Sequence, residues 1–247
     1  MSPAAKAAKP RPVRHKGDSY ADLTHRPLYA LVFVVAALAF SHIGAAMLDS
    51  RISPASRTDL LRFLHYFHIT ARFLAPLTVV AVLIGQHVAR RDPWSLRPSV
   101  LAGMVAEGFF WTLPLIVVGL LRGQVAAANG EAGFHAGLDW LCADIGAAVY
   151  EEFVFRLLLI NLAMLIFVDV LGLKEHFVLP AAVLCSAVAF AFYHPLGQDQ
   201  LFWARLITHS LEGLLWGTLL IYRGFGICVL SHISWNLFVH LYYAVRG

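Results

Sequence analysis

Residues 146–170 read GAAVYEEFVFRLLLINLAMLIFVDV. A run this long and this apolar can cross about 30 Å of hydrocarbon as a helix, yet its middle carries Glu151, Glu152 and Arg156. An ionisable side chain at the centre of a membrane helix costs about 2.5–3.5 kcal/mol on insertion scales. Such residues therefore face a bundle interior or a wet cavity, and they mark function. Two more polar clusters lie in later apolar stretches: His194 behind Phe190-Ala191-Phe192-Tyr193, and His232-Ile233-Ser234-Trp235-Asn236. Adjacent carboxylates, an arginine, two imidazoles and an amide are the equipment of a hydrolase, set here among membrane spans.

Working outward from this stretch, the whole chain has the same character. Of its 247 residues 59% are apolar and 14% charged, against about 25% charged in a soluble domain. Seven spans can be drawn: Pro27–Leu48, Arg72–Ala89, Ser99–Leu121, Leu138–Val170, Phe177–Tyr193, Leu201–Ile221 and Phe225–Val245. The predicted fold is therefore an all-α, polytopic transmembrane helical bundle of about seven spans, with length enough for an eighth. Helices rather than open sheets follow because lipid offers backbone groups no partners. The fourth span is too long for one straight crossing at about 1.5 Å per residue. It is expected either to start as an interfacial helix near Asp139 or to break near Gly146. The second is expected to begin earlier, as an amphipathic helix from Thr58 carrying His65 and His68. Arg122–Gly137, with its Asn129-Gly130 pair, reads as a long flexible loop.

Residues 1–26 hold six Lys/Arg among Pro and Ala, the composition of a disordered basic tail. With no folded basic face, this tail suits anionic headgroups rather than nucleic acid. Residues 27–247 then form one helical domain, without internal repeat or heptad run. Lys/Arg bias places the tail in the cytoplasm, where it joins Arg90, Arg91, Arg97, Lys174 and Arg223, and seven spans leave the C-terminus outside. The first apolar run is about 20 residues long behind a 26-residue polar tail, so it reads as a retained anchor rather than a signal peptide ending near Ala46. A bacterial-type cytoplasmic (inner) membrane is the expected location. The lone Cys142, Cys185 and Cys228 form no CxxC pair and read as small buried hydrophobes.

Residues four apart on a helix share a face, so Glu152 and Arg156 can pair and cancel one charge. Glu151 points about 100° away and is free for other work. An unpaired carboxylate in a dry pocket suits a general base. His232 and Asn236 are also four apart and project side by side, giving the two donors a tetrahedral oxyanion needs. Antiparallel neighbours bring Glu151, His194 and Asn236 to broadly similar depth. Gly213 and Gly217 make a small-xxx-small face for close helix packing.

Glu151-Glu152-Phe153-Val154-Phe155-Arg156, Phe190-Ala191-Phe192-Tyr193-His194 and His232-Ile233-Ser234-Trp235-Asn236, in this order and spacing, resemble the motif set of the CPBP family. These are the CAAX-prenyl-protease and bacteriocin-processing, or Abi, intramembrane proteases. Gly213, Gly217 and Tyr222 also fit the pattern, and the resemblance covers roughly residues 146–240. It implies a membrane endopeptidase of the glutamate type. In that family's terms Glu151 activates water, helped by His194, while His232 and Asn236 stabilise the oxyanion. Glu152 and Arg156 orient the site. The substrate would be a membrane-anchored protein or peptide: a prenylated tail, a leader peptide or a sorting anchor.

This mechanism needs no cofactor. Glu151, His194 and His232 could in principle chelate zinc, although no HExxH occurs. Ser231 and Ser234 lack a nucleophile elbow. The rival from another class is a proton-coupled carrier or immunity-type binding protein using the carboxylates as a relay; repeated halves or broken helices would mark a carrier. Glu107, and His209 with Glu212, read as satisfied structural pairs. His42, His65, His68, His87 and His240 read as interfacial.

Overall fold

A computed structural model describes residues 19–48, 52, 55–65, 74–128, 137–194 and 202–246, and every regular element among them is a helix. Most of the basic tail, His68, and the Asn129-Gly130 part of the expected loop lie outside the described residues, as does the side chain of His65. The helices are α1 (Tyr20–Thr24), α2 (Pro27–Met47), α3 (Ala55–His65), α4 (Leu74–Arg90), α5 (Pro98–Ala128), α6 (Leu138–Val170), α7 (Glu175–Tyr193), α8 (Phe202–Arg223) and α9 (Phe225–Arg246). Part of the segment assigned to the tail is thus ordered: Ser19 caps α1 by accepting from the Asp22 backbone N–H at 3.2 Å. Pro27 starts α2, where its missing N–H costs nothing.

Among the described residues, five helices are long and apolar enough to cross a membrane: Pro27–Met47, Pro98–Leu120, Leu138–Val170, Glu175–Tyr193 and Phe225–Tyr242. The chain is a multi-pass membrane protein. α4 is apolar but only 17 residues long, and α8 is diluted by Arg205, His209, Glu212 and Arg223. Large apolar side chains such as Phe110, Val117, Phe177 and Trp203 are exposed on the outside of the bundle, as a lipid-facing surface requires.

The fourth span does not break at Gly146. α6 runs unbroken from Leu138 to Val170, and its irregularity falls at Glu152 rather than Gly146. There the backbone widens to i→i+5 hydrogen bonding over Glu152–Ile160, and again over Leu165–Val170. Such widened turns are rare and concentrate at functional sites. The helix expected from Thr58 is present as α3, which packs on α4 and α6, while 66–73 lie outside the described residues. α5 continues to Ala128, into the segment expected as loop.

α9 is the central element and packs against α2, α5, α6 and α8. α8 lies against α7 at a distance only glycine allows: a Cβ on Gly213 would stand 2.8 Å from Ala187 Cα, and one on Gly217 2.9 Å from Val183 Cγ1. Gly224 turns the chain from α8 into α9 at φ +87°, and a Cβ there would meet the Thr24 carbonyl at 2.6 Å. Both constraints demand glycine. Val34, Val79, Leu83, Val149, Phe153 and Val229 fill the space between α2, α4, α6 and α9.

At the end of the bundle near α1, Glu107 accepts from the Arg223 guanidinium, from Trp111 Nε1 at 3.1 Å and from the Tyr20 hydroxyl at 2.8 Å. Burial and this carboxylate push the Tyr20 hydroxyl up to about 12, so it stays a neutral donor. Glu107 is therefore a structural hub, as the sequence suggested. Cys142 and Cys228 are buried, but Cys185 is exposed on α7, against expectation.

Candidate active site

The three polar clusters converge where α6, α7, α8 and α9 meet. Glu151 Oε2 lies 3.9 Å from His194 Nε2 and 3.8 Å from His232 Nε2. These gaps are too long for direct hydrogen bonds. One carboxylate oxygen thus faces the same nitrogen of two imidazoles, without contact. His194 closes α7, and its Nδ1–H donates to the Phe190 carbonyl at 2.9 Å. That bond fixes the tautomer, so the neutral ring turns the Nε2 lone pair toward Glu151.

Behind Glu151 the site is sealed. Glu152 and Arg156 are both wholly buried, and Glu152 takes three partners. Its Oε1 accepts from His232 Nδ1 at 2.7 Å and lies 3.3 Å from Arg156 Nη1, while its Oε2 accepts from Cys228 Sγ at 2.9 Å. The sequence reading paired Glu152 with Arg156 alone; His232 is in fact its closest ligand. The His232 ring also stacks on Trp216, with centroids 3.8 Å apart and planes 12° apart. Arg156 lies over the Phe190 ring at 4.1 Å, with Trp216 at 5.5 Å and Phe155 at 5.9 Å. A delocalised cation in an aromatic cage needs fewer hydrogen bonds than an ammonium would.

Asn236 sits one turn beyond His232 on α9. Its amide donates to the Asp144 carbonyl at 2.9 Å, so one of its two hydrogens already ties α9 to α6. A further turn on, His240 Nε2 lies 2.7 Å from Asp144 Oδ2. His240 is buried inside the protein rather than at the interface where the sequence reading put it, because Asp144 supplies its counter-group. His87 is buried as well, against Trp94. The polar stripe of α9 therefore runs His232, Asn236, His240, and it matches Glu152 and Asp144 on α6.

Asp144 and Trp216 were not among the residues singled out by sequence, and Cys228 was read only as a small buried hydrophobe. Asp144 had a readable signal, since it lies seven residues before Glu151 and so on the same helix face. Trp216 and Cys228 look like ordinary core residues in a sequence, and only packing reveals them. His209 and Glu212 do pair, at 2.8 Å, and the His209 ring also stacks on His194. Among the described residues, no group of three or more His, Cys, Asp or Glu side chains is arranged to hold a metal ion.

Two imidazoles thus stand around a recessed glutamate inside a bundle of apolar helices. Residues 133–238 match the family described as Rce1-like, type II CAAX prenyl endopeptidase Rce1-like, in agreement with the CPBP resemblance. The match takes in all three motifs and none of α1–α5. The family is one of proteases, which supports peptidase activity at the family level and gives no support to a carrier or immunity-type protein. No curated protein and no solved structure matches the chain.

Proposed function

We propose that this chain is an intramembrane endopeptidase that hydrolyses a peptide bond in or near a membrane-anchored protein or peptide, using water activated by Glu151. The observation that carries this reading is the convergence of His194 Nε2 and His232 Nε2 on one oxygen of Glu151. Two acceptors 3.9 Å apart cannot bond each other, but one water about 2.8 Å from each spans them. Such a water gives one hydrogen to Glu151 and the other to the His194 lone pair, and its own lone pair is left for the scissile carbonyl carbon.

As the C–O bond forms, the water proton passes to Glu151, and the carbonyl oxygen becomes an oxyanion. His232 is suited to receive it as an imidazolium. Its Nδ1–H is committed to Glu152, so only the doubly protonated ring has an Nε2–H to donate, and Glu152 supplies the balancing charge. The second amide hydrogen of Asn236 is the further donor. Glu151 then returns the proton to the leaving amine, the C–N bond breaks, and a carboxylic acid and an amine separate, the acid's remaining proton passing to solvent. Glu152 and Arg156 hold the frame.

Sequencing of membrane-protein termini in the native host tests the activity. A strain carrying Glu151→Gln should lose a defined set of new termini and accumulate the uncut precursors. Identical termini in both strains would overturn the peptidase reading.

We further infer that α4 and α8 also cross the bilayer, giving seven spans with residues 1–26 in the cytoplasm of a bacterial-type inner membrane. Supporting this, α8 is packed on a spanning neighbour along its Gly213/Gly217 face. Cysteines placed at Ser2 and Gly247 should react with impermeant maleimide from opposite sides. Labelling of both from one side would refute an odd number of spans.

A further inference from the structure

We propose that His209 and Glu212 form a carboxylate–imidazole pair that positions His194 for work with Glu151, so that each imidazole beside Glu151 is backed by its own carboxylate. This inference rests on the peptidase reading and deepens it.

The two imidazoles are supported differently. His232 has Glu152 at 2.7 Å on Nδ1 and the Trp216 ring against its face. Among the described residues, His194 has no carboxylate on Nδ1, only the Phe190 carbonyl. What covers the His194 face is the His209 ring, with centroids 4.5 Å apart and planes 23° apart; Phe190 approaches at 4.4 Å with a 55° tilt. His209 in turn is fixed by Glu212, its Nδ1 lying 2.8 Å from Oε2. Glu212 is buried, with a side chain only 5% exposed. Burying a carboxylate is costly unless it is paired, and the His209 ring is the partner it has.

The chemistry of the pair follows from that bond. A carboxylate that accepts Nδ1–H from an imidazole fixes the ring's orientation and tautomer. The stacked His209 ring holds the plane of His194, and the negative charge of Glu212 favours a developing positive charge on His194. His194 gains partial charge of this kind as it accepts a hydrogen bond from the attacking water, whose other hydrogen passes to Glu151. Glu212 and His209 touch neither substrate nor water in this scheme; both act through His194.

The test uses the full-length protein in lipid nanodiscs and a peptide spanning a cleavage site mapped by sequencing of termini in the native host. Glu212→Gln should lower kcat about tenfold and leave KM within about twofold. Glu212→Asp should recover part of the loss. In a His194→Ala background the same Glu212→Gln change should alter kcat by less than about twofold, because the intermediary is gone. If Glu212→Gln impairs folding, the joint change His209→Phe with Glu212→Leu retains a stacked ring and removes the buried charge; it should show the same loss of kcat. Full activity in either variant, or losses that simply multiply with His194→Ala, would overturn the positioning role. Glu151→Gln run alongside separates the two failures: if it cleaves normally the peptidase reading falls and this proposal with it, whereas an inactive Glu151→Gln beside an unaffected Glu212→Gln removes the pair alone.

Discussion

Glu151→Gln lowers turnover to about one hundredth of wild type or less, the scale expected when a general base is removed, while the chain folds normally and KM is little changed. Gln keeps the size and the planar end group, so packing against His194 and His232 survives. The neighbours of Glu151 stand at 3.8 and 3.9 Å, which means that no tight bond is broken by losing its charge. The loss should therefore appear in kcat, as it does when an interaction matters only in the transition state. Rates of cleavage of the mapped peptide, with thermal melting as a control for folding, check this. A folded Glu151→Gln protein that cleaves at the wild-type rate would show that another group takes the proton. Glu152→Gln contrasts with it, because Glu152 has three partners; activity and stability should fall together.

How far the sequence reveals this arrangement depends on the reach of each signal. Charges in an apolar run are expensive, so Glu151, Glu152 and Arg156 announce themselves without any structure. Four-residue spacing then pairs Glu152 with Arg156 and His232 with Asn236. The limits come where contacts cross between helices. Nothing in the spacing within α6 or α9 says that His232 outcompetes Arg156 for Glu152, or that Asn236 donates to the Asp144 carbonyl. The widened coil at Glu152 is likewise invisible, since no Pro or Gly lies within Glu152–Ile160 to mark it. The span count reads less clearly for a related reason. The polar residues that build the site and brace it, His209 and Glu212 among them, also lower the apolar character of the helix that carries them. α8 falls short as a membrane span by composition because it carries Arg205, His209, Glu212 and Arg223.

Arg156→Met should be the most destabilising single change in the motif region. Arg156 is fully buried, and its cation balances Glu152 from 3.3 Å while filling the space among Phe190, Trp216 and Phe155. Removing one partner of a buried pair leaves the other charge exposed to a low dielectric, which costs about 3–5 kcal/mol. A thermal melt in detergent should then fall by about 10 °C. The decisive comparison is with the double variant Arg156→Met and Glu152→Gln. It removes both charges and leaves an apolar side chain in the aromatic cage, so most of the lost stability should return, although cleavage stays absent because His232 has lost its carboxylate. That separation of stability from activity assigns Arg156 to the frame and Glu152 to both frame and chemistry. Arg156→Lys should not rescue the single variant, since a compact ammonium neither stacks on Phe190 nor tolerates so few hydrogen bonds. A melt of Arg156→Met within about 2 °C of wild type, or a double variant no more stable than the single one, would show that the Glu152–Arg156 pair is not what holds this part of α6 in place.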